Sequence, residues 1–371
     1  MSEPAKILIV DDSRVFRSIL EKMIATIPGV QVAGTADSGL AALEFLKSHS
    51  VDLMTLDVEM PGMDGLATLK KVLASKAELK STPEVLMVSS LTRTGSDITL
   101  KALECGAFDF IAKPAPEIPN SQESLNRMLN TTISAWVSRK NRGVVTPVRA
   151  GTIHPVAGTT ASTGFTYTLA KPSVHTKQIQ AIVIGVSTGG PKSLADMLPK
   201  LCSMTTLPIL LVQHMPPNFT KSLADSLNAK CNHTVVEGLP GTVVEDKTVY
   251  IAPGGCHMVV NSRGTKYVLD NNNDPPENGC RPSVDVLFRS AAQAYPADTL
   301  VGVILTGMGN DGTPALQYLK NKNAYLIAQD EESSVVFGMP RAAAATGLLD
   351  KVATLTRIPE AILERVNLGR K

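Results

Sequence analysis

Short unbroken apolar runs alternate along this chain with segments whose apolar residues recur at helical spacing. Runs at 6–10, 30–34, 51–56, 85–89 and 108–112 are separated by stretches such as Val15, Ile19, Met23, Ile24 and Leu40, Leu43, Leu46. A strand that is apolar along its whole length has to be covered on both faces, as in a parallel sheet flanked by helices. The pattern predicts a five-stranded doubly wound α/β domain that ends in a helix from about 121 to 142.

Periodicity then stops. Residues 143–178 are rich in Thr, Ser, Gly, Ala and Pro and read as a flexible linker. No Asp or Glu occurs between Glu123 and Asp196, whereas Arg139, Lys140, Arg142, Arg149, Lys171 and Lys177 fall there. This basic middle is either a solvated tether or a segment that docks an acidic partner. From 179 the alternation resumes, with strands at 179–186, 207–212, 234–237, 300–305 and 325–328. Helices are expected near 191–201, 221–230 and 284–294, and hairpin-like β segments around 241–251 and 258–269. A second doubly wound, mainly parallel α/β domain with a β-hairpin insertion follows. The expected organisation is 1–142, linker 143–178, and 179–371.

Composition narrows the class. Of 371 residues, 43% are apolar and 19% charged, enough for two packed cores. A formal charge of +2 is too mild to argue for nucleic acid, and no run approaches the roughly 18 apolar residues that span a bilayer. The five cysteines form no C-x-x-C, and Cys231-Asn232-His233 and Cys256-His257 fit no standard zinc spacing. A cytoplasmic, monomeric protein with reduced thiols is expected, without membrane insertion. Trp136, near the end of the first domain's last helix, is expected to report domain release by fluorescence.

Carboxylates mark the ends of the first and third expected strands: Asp11 and Asp12 after 6–10, and Asp57 after 51–56. Ligands of open parallel sheets bind outside the carboxyl ends of the strands. Acids converging there need a cation, and a hard divalent ion such as Mg²⁺ suits oxygen donors. Ser89 and Lys113 end strands four and five at the same edge. Singly each is an ordinary turn or cap residue; jointly they resemble the receiver domains of bacterial response regulators. The resemblance rests on VDD at 10–12, LDVEMPGMDG at 56–65, MVSS at 87–90 and GAFDFIAKP at 106–114. It implies a flavodoxin-like fold, Asp57 as phospho-acceptor, and Asp11, Asp12 and Asp57 as the Mg²⁺ site. It further implies Lys113 as phosphate ligand and Ser89 and Phe110 as switch residues.

In the second half, GVSTGGP at 185–191 ends a strand and opens a helix, with Pro191 suited to the first turn. A P-loop is ruled out because Pro191 separates Gly190 from Lys192. Gly307-Met308-Gly309-Asn310-Asp311-Gly312 satisfies G-x-G-x-x-G, with Asp330 and Glu331 farther on, so a dinucleotide site stays open. Against it stands a hydroxyl (Ser187), an imidazole (His214) and a carboxylate (Asp311), each following a strand, as acyl transfer requires. Ordinary caps and structural histidines account for these residues one at a time. A DNA-binding regulator, for which no helix-turn-helix is visible, and a non-catalytic phosphate sink are the other classes.

Further motifs, QHMPPNFT at 213–220, YIAPGGCHM at 250–258, RPSVDVLF at 281–288 and AQDEESSVVFGMP at 328–340, resemble the chemotaxis protein-glutamate methylesterases that also deamidate glutamine. That resemblance implies Ser187 as nucleophile, His214 as base and Asp311 as its orienter, with Met308 N–H as oxyanion donor and Thr188 beside the nucleophile. It implies no cofactor for the ester chemistry, methylated chemoreceptors as substrate and a chemotaxis histidine kinase as phosphodonor. Asn321-Lys322-Asn323 departs from the family's Gly-rich turn. A receiver covering the strand ends would inhibit the enzyme until Asp57 is phosphorylated.

Overall fold

The computed structural model describes residues 3–114, 121–141, 166–171 and 173–368. The chain divides into two compact units, residues 1–144 and 145–371. Residues 143–165 of the expected linker lie outside the described residues.

The first unit runs β1 (Ala5–Val10), α1 (Arg14–Ala25), β2 (Val30–Ala36), α2 (Gly39–Ser48), β3 (Leu53–Asp57), α3 (Gly65–Ala74), β4 (Glu84–Ser89), α4 (Arg93–Cys105), β5 (Asp109–Ala112) and α5 (Ser121–Asn141). Its sheet has the order β2-β1-β3-β4-β5, parallel throughout, so the order in which strands are added across the sheet reverses between β1 and β3. Local chemistry starts the helices: Ser13, Asp64 and Thr92 accept from the Phe16, Ala67 and Gly95 amides, satisfying first-turn donors. The apolar runs are buried as their lack of alternation requires, Ile7, Leu8, Ile9, Leu53 and Leu56 completely. Trp136, on α5, is buried.

The second unit runs β6 (Ala181–Val186), α6 (Gly190–Met204), β7 (Ile209–Gln213), α7 (Phe219–Asn228), β8 (Thr234–Glu237), β9 (Thr248–Ile251), β10 (His257–Arg263), β11 (Lys266–Asn272), α8 (Val284–Ala294), β12 (Leu300–Ile304), α9 (Leu316–Asn321), β13 (Tyr325–Gln329), α10 (Met339–Ala345), β14 (Lys351–Ala353) and α11 (Ile358–Leu368). Seven parallel strands pair in the order β14-β13-β12-β6-β7-β9-β8, and β10–β11 forms a separate antiparallel hairpin. The expected hairpin at 241–251 is corrected. Its second half is β9, a parallel strand between β7 and β8 whose Val249, Tyr250 and Ile251 are all buried. A turn at Gly241 mimics a hairpin, but only a partner on each side completes the hydrogen bonds of this strand. Strand order reverses beside β6, which opens a crevice at the carboxyl ends of β6, β7 and β12.

Part of the stretch read as linker is held firmly. The Asp298 carboxylate accepts the Thr176 and Lys177 amides at 2.7 and 3.0 Å and pairs with His175 Nδ1 at 2.6 Å. Arg365 of α11, fully buried, donates to the same carboxylate at 2.7 Å. Asn323 takes a left-handed turn conformation at φ 54° and donates to the Val174 carbonyl. No helix among the described residues is long and apolar enough to cross a membrane.

Candidate active site

Two clusters of reactive side chains sit at strand ends, one in each unit. In the first, Asp11 and Asp57 are almost wholly buried and Lys113 Nζ lies 2.8 Å from a carboxylate oxygen of each. One ligand atom from each of Asp11, Asp12 and Asp57 falls within 4.8 Å of the others. Close approach of α3 is needed here, because a Cβ on Gly65 would meet the Asp57 carbonyl at 2.2 Å. Burial pushes Asp57 up to about 6, with the Asp11 charge adding to the rise and Lys113 opposing it. Burial alone would lower Lys113, but the two carboxylates outweigh it and raise the amine. Three acids against one lysine leave excess negative charge, so an oxygen-ligated divalent cation fits this donor set. Ser89 is buried at the end of β4, its hydroxyl donating to the Ser90 carbonyl, and Phe110 is buried on β5.

In the second unit, β6 and β7 pair with Val186 opposite Gln213, so Ser187 and His214 emerge side by side. The His214 amide donates to the Val186 carbonyl at 3.1 Å. Gln213, buried, donates through Nε2 to the Ser187 carbonyl at 3.0 Å and the His214 carbonyl at 3.2 Å, tying the two turns together. Gly307 is needed beside them, since its Cβ would lie 2.8 Å from Ser187 Cβ. Among the described residues the Met308 N–H has no hydrogen-bond partner.

Asp311 is the best-satisfied side chain of the site. Its Oδ1 accepts from Ser283 Oγ at 2.7 Å, Asn278 Nδ2 at 3.0 Å, and the Gly312 and Asp285 amides at 3.1 and 3.2 Å. Its Oδ2 accepts from the Val284 amide at 2.7 Å and faces His214 Nε2 at 2.7 Å. Burial works against ionisation, but His214 and the donors at the N-terminus of α8 hold this carboxyl far below the usual range. An ionised Asp311 can only accept, so His214 Nε2 carries a proton and Nδ1 is the nitrogen left for chemistry. Burial pulls His214 down, and its contacts with Asp311 and Cys280 outweigh it, holding the imidazole above the ordinary histidine range. The neighbour of Nδ1 is Cys280 Sγ at 3.6 Å. Among the described residues no hydrogen bond joins the Ser187 hydroxyl to the imidazole; such bonds are commonly long before substrate binds.

The alternative dinucleotide site fails on geometry. After Gly312 the chain makes turns, and α9 begins only at Leu316 and lasts six residues, so the glycines do not feed a phosphate-binding helix start. Asp311 is spent on the hydrogen bonds above.

The chain matches the CheB methylesterase family over residues 182–362 and the response regulator receiver domain over 7–120. A protein-glutamate methylesterase/protein-glutamine glutaminase of Desulfotalea psychrophila is 41% identical over 370 residues, covering 98% of this chain and 99% of that protein. One of the same description from Paraburkholderia xenovorans is 41% identical, covering 98% of this chain and 96% of that one. This chain belongs to that family. The crystal structure of the Thermotoga maritima CheB methylesterase catalytic domain is 41% identical, covering 50% of this chain and 98% of that one, with a TM-score of 0.49. Its two family matches join a receiver unit to a methylesterase unit in one chain.

Sequence reasoning assigned no role in the site to Asn278, Ser283 or Asp285. Asn278 donates to both Asp311 and Asp285, the latter a second buried acid that burial and the Asp311 charge raise to about 6. His257, fully buried, accepts the Ser283 amide on Nδ1 and lies 3.2 Å from the Pro275 carbonyl on Nε2, fixing the loop before α8. The motif RPSVDVLF contained Ser283 and Asp285, but nothing in its spacing says that α8 starts against Asp311.

Proposed function

We propose that this protein hydrolyses γ-glutamyl methyl esters on chemoreceptor helices, and the corresponding glutamine amides, under control of Asp57 phosphorylation. The supporting observation is the emergence of Ser187 and His214 at neighbouring strand ends with His214 Nε2 committed to Asp311 at 2.7 Å. His214 Nδ1 takes the hydroxyl proton as Ser187 Oγ attacks the ester carbonyl. The Met308 and Thr188 N–H groups stabilise the oxyanion. The bond to methoxide then breaks, the imidazolium returns the proton, and methanol leaves. Water, deprotonated by the same nitrogen, attacks the acyl-enzyme and releases glutamate and free Ser187. A glutamine carbonyl follows the same path with ammonia as leaving group.

Asp57 accepts a phosphoryl group from a chemotaxis histidine kinase. Asp11, Asp12 and Asp57 are the residues to hold Mg²⁺, which when bound compensates phosphoryl charge. Lys113 neutralises a phosphoryl oxygen, and Ser89 and Phe110 take the second arrangement that the phosphate favours. The substrate-bearing partners are methylated chemoreceptors, and the enzyme acts as a cytoplasmic monomer.

Methanol release from methylated receptor, measured with and without a small-molecule phosphodonor, tests this reading. Wild-type release should rise with the donor, and Asp57→Asn should remove the rise. No methanol from the wild type under either condition would overturn the proposal. Deleting residues 1–142 should raise the basal rate; an equal or lower rate would count against inhibition by the receiver.

A further inference from the structure

The mechanism above leaves Cys280 without a role, although its thiol is in hydrogen-bond contact with the working nitrogen of His214. Its Sγ stands 3.6 Å from Nδ1, on a loop that Asn278 fastens to Asp311 and Asp285. His214, Cys280 and Asp311 each place a ligand atom within 4.8 Å of the others. Zinc bonded to sulfur at ~2.3 Å and nitrogen at ~2.05 Å, with a tetrahedral angle, needs its two donors about 3.6 Å apart. The observed separation meets that requirement without movement.

The tautomer also suits a metal. Metal-ligating histidines generally donate their other ring N–H to a carboxylate, which orients the ring and strengthens the donor. His214 already does so through Nε2 to Asp311 Oδ2 at 2.7 Å. Once its proton is given up, Nδ1 presents a lone pair toward Cys280 Sγ. Both His214 and Cys280 are partly exposed, so an ion has access from solvent. A soft thiolate with an imidazole selects zinc over the hard ion suited to the all-oxygen cluster in the first unit.

We propose that His214 Nδ1 and Cys280 Sγ form a zinc site that reversibly inhibits the esterase, water filling the remaining positions. Binding forms one Zn–N and one Zn–S bond and displaces to solvent the protons that Nδ1 and Sγ hold between them; no redox change occurs. The bound ion takes the lone pair that must receive the Ser187 proton. Inhibition therefore rests on His214 being the base, whereas metal binding does not.

Cobalt(II) alone, added to the full-length protein, reads the site independently of activity. A thiolate-to-cobalt charge-transfer band is expected in wild type and in Ser187→Ala, and it should vanish in Cys280→Ser and Cys280→Ala. Cys231→Ser serves as a control for thiols elsewhere and should keep the band. In the methanol assay, zinc should inhibit wild type and a chelator should restore it. The half-inhibitory zinc concentration should rise at least about tenfold in Cys280→Ala. Variants are compared as ratios with and without zinc, after circular dichroism shows them folded. A band that persists without Cys280, or zinc inhibition unchanged by its loss, overturns the site. A Cys280-dependent band in a protein whose activity survives Ser187→Ala keeps the metal site and overturns its inhibitory role together with the catalytic reading. A Ser187-dependent esterase without the band overturns the metal site alone.

Discussion

Ser187→Ala is expected to stop methanol release while leaving Asp57 phosphorylation intact. Removing the nucleophile of a hydroxyl–imidazole–carboxylate set costs on the order of a million-fold in kcat, and the remaining members do not compensate because they act as a unit. The residue is well placed for so selective an effect. Its backbone amide and carbonyl hold the turn, donating to Thr306 and accepting from Gly190 and Gln213, and none of these bonds uses the hydroxyl. The loss should appear in a single-turnover methanol assay with phosphoryl transfer to Asp57 measured on the same sample. Normal methanol release would sink the assignment. Loss of phosphorylation together with release would point to misfolding instead.

The second large effect concerns stability. Asp298→Ala removes the carboxylate that pairs with Arg365 and leaves that guanidinium buried against the Lys177 and Asp298 carbonyls. Breaking a buried pair from one side costs about 3–5 kcal/mol. Urea unfolding followed by circular dichroism should show the transition of the second unit moving to lower denaturant. Emission from Trp136, the single tryptophan and buried in the first unit, should move little. Adding Arg365→Met should recover part of the loss, because the uncompensated charge goes with it. The pH dependence has a definite sign. Burial opposes ionisation of Asp298, but His175, the Thr176 and Lys177 amides and Arg365 lower it to about 2. Its stabilisation is thus complete above the unfolded value of about 3.9 and is lost as pH falls through about 2. The variant should lack that part of the acid-induced loss. An unchanged denaturation midpoint would show that the pair contributes nothing net.

Most of the architecture was legible because parallel sheets leave a local mark. Strands covered on both faces are apolar throughout, as at 181–186 and 300–304, and need no knowledge of their neighbours to be seen. Residues 241–251 misled for the complementary reason: a turn beside a β segment looks alike whether its strand returns on itself or joins a sheet elsewhere. Asp298 was equally invisible, as its partners lie at 175–177 and at 365, far away along the chain.

The catalytic candidates divide in the same manner. Ser187, His214 and Asp57 follow apolar runs directly, so rules about strand ends reach them from local pattern and residue type. Periodicity and motif order thereby settle two α/β units and the kind of chemistry each edge can carry. Which nitrogen of His214 is free, that α8 begins against Asp311, and that Cys280 stands beside the base were decided by folding alone. Hydrogen bonds of 2.7–3.2 Å and a sulfur–nitrogen distance of 3.6 Å join residues 26 to 97 positions apart. Spacing along a chain has no fixed relation to distance through space once strand order has been shuffled, so only the packed sheet could set them.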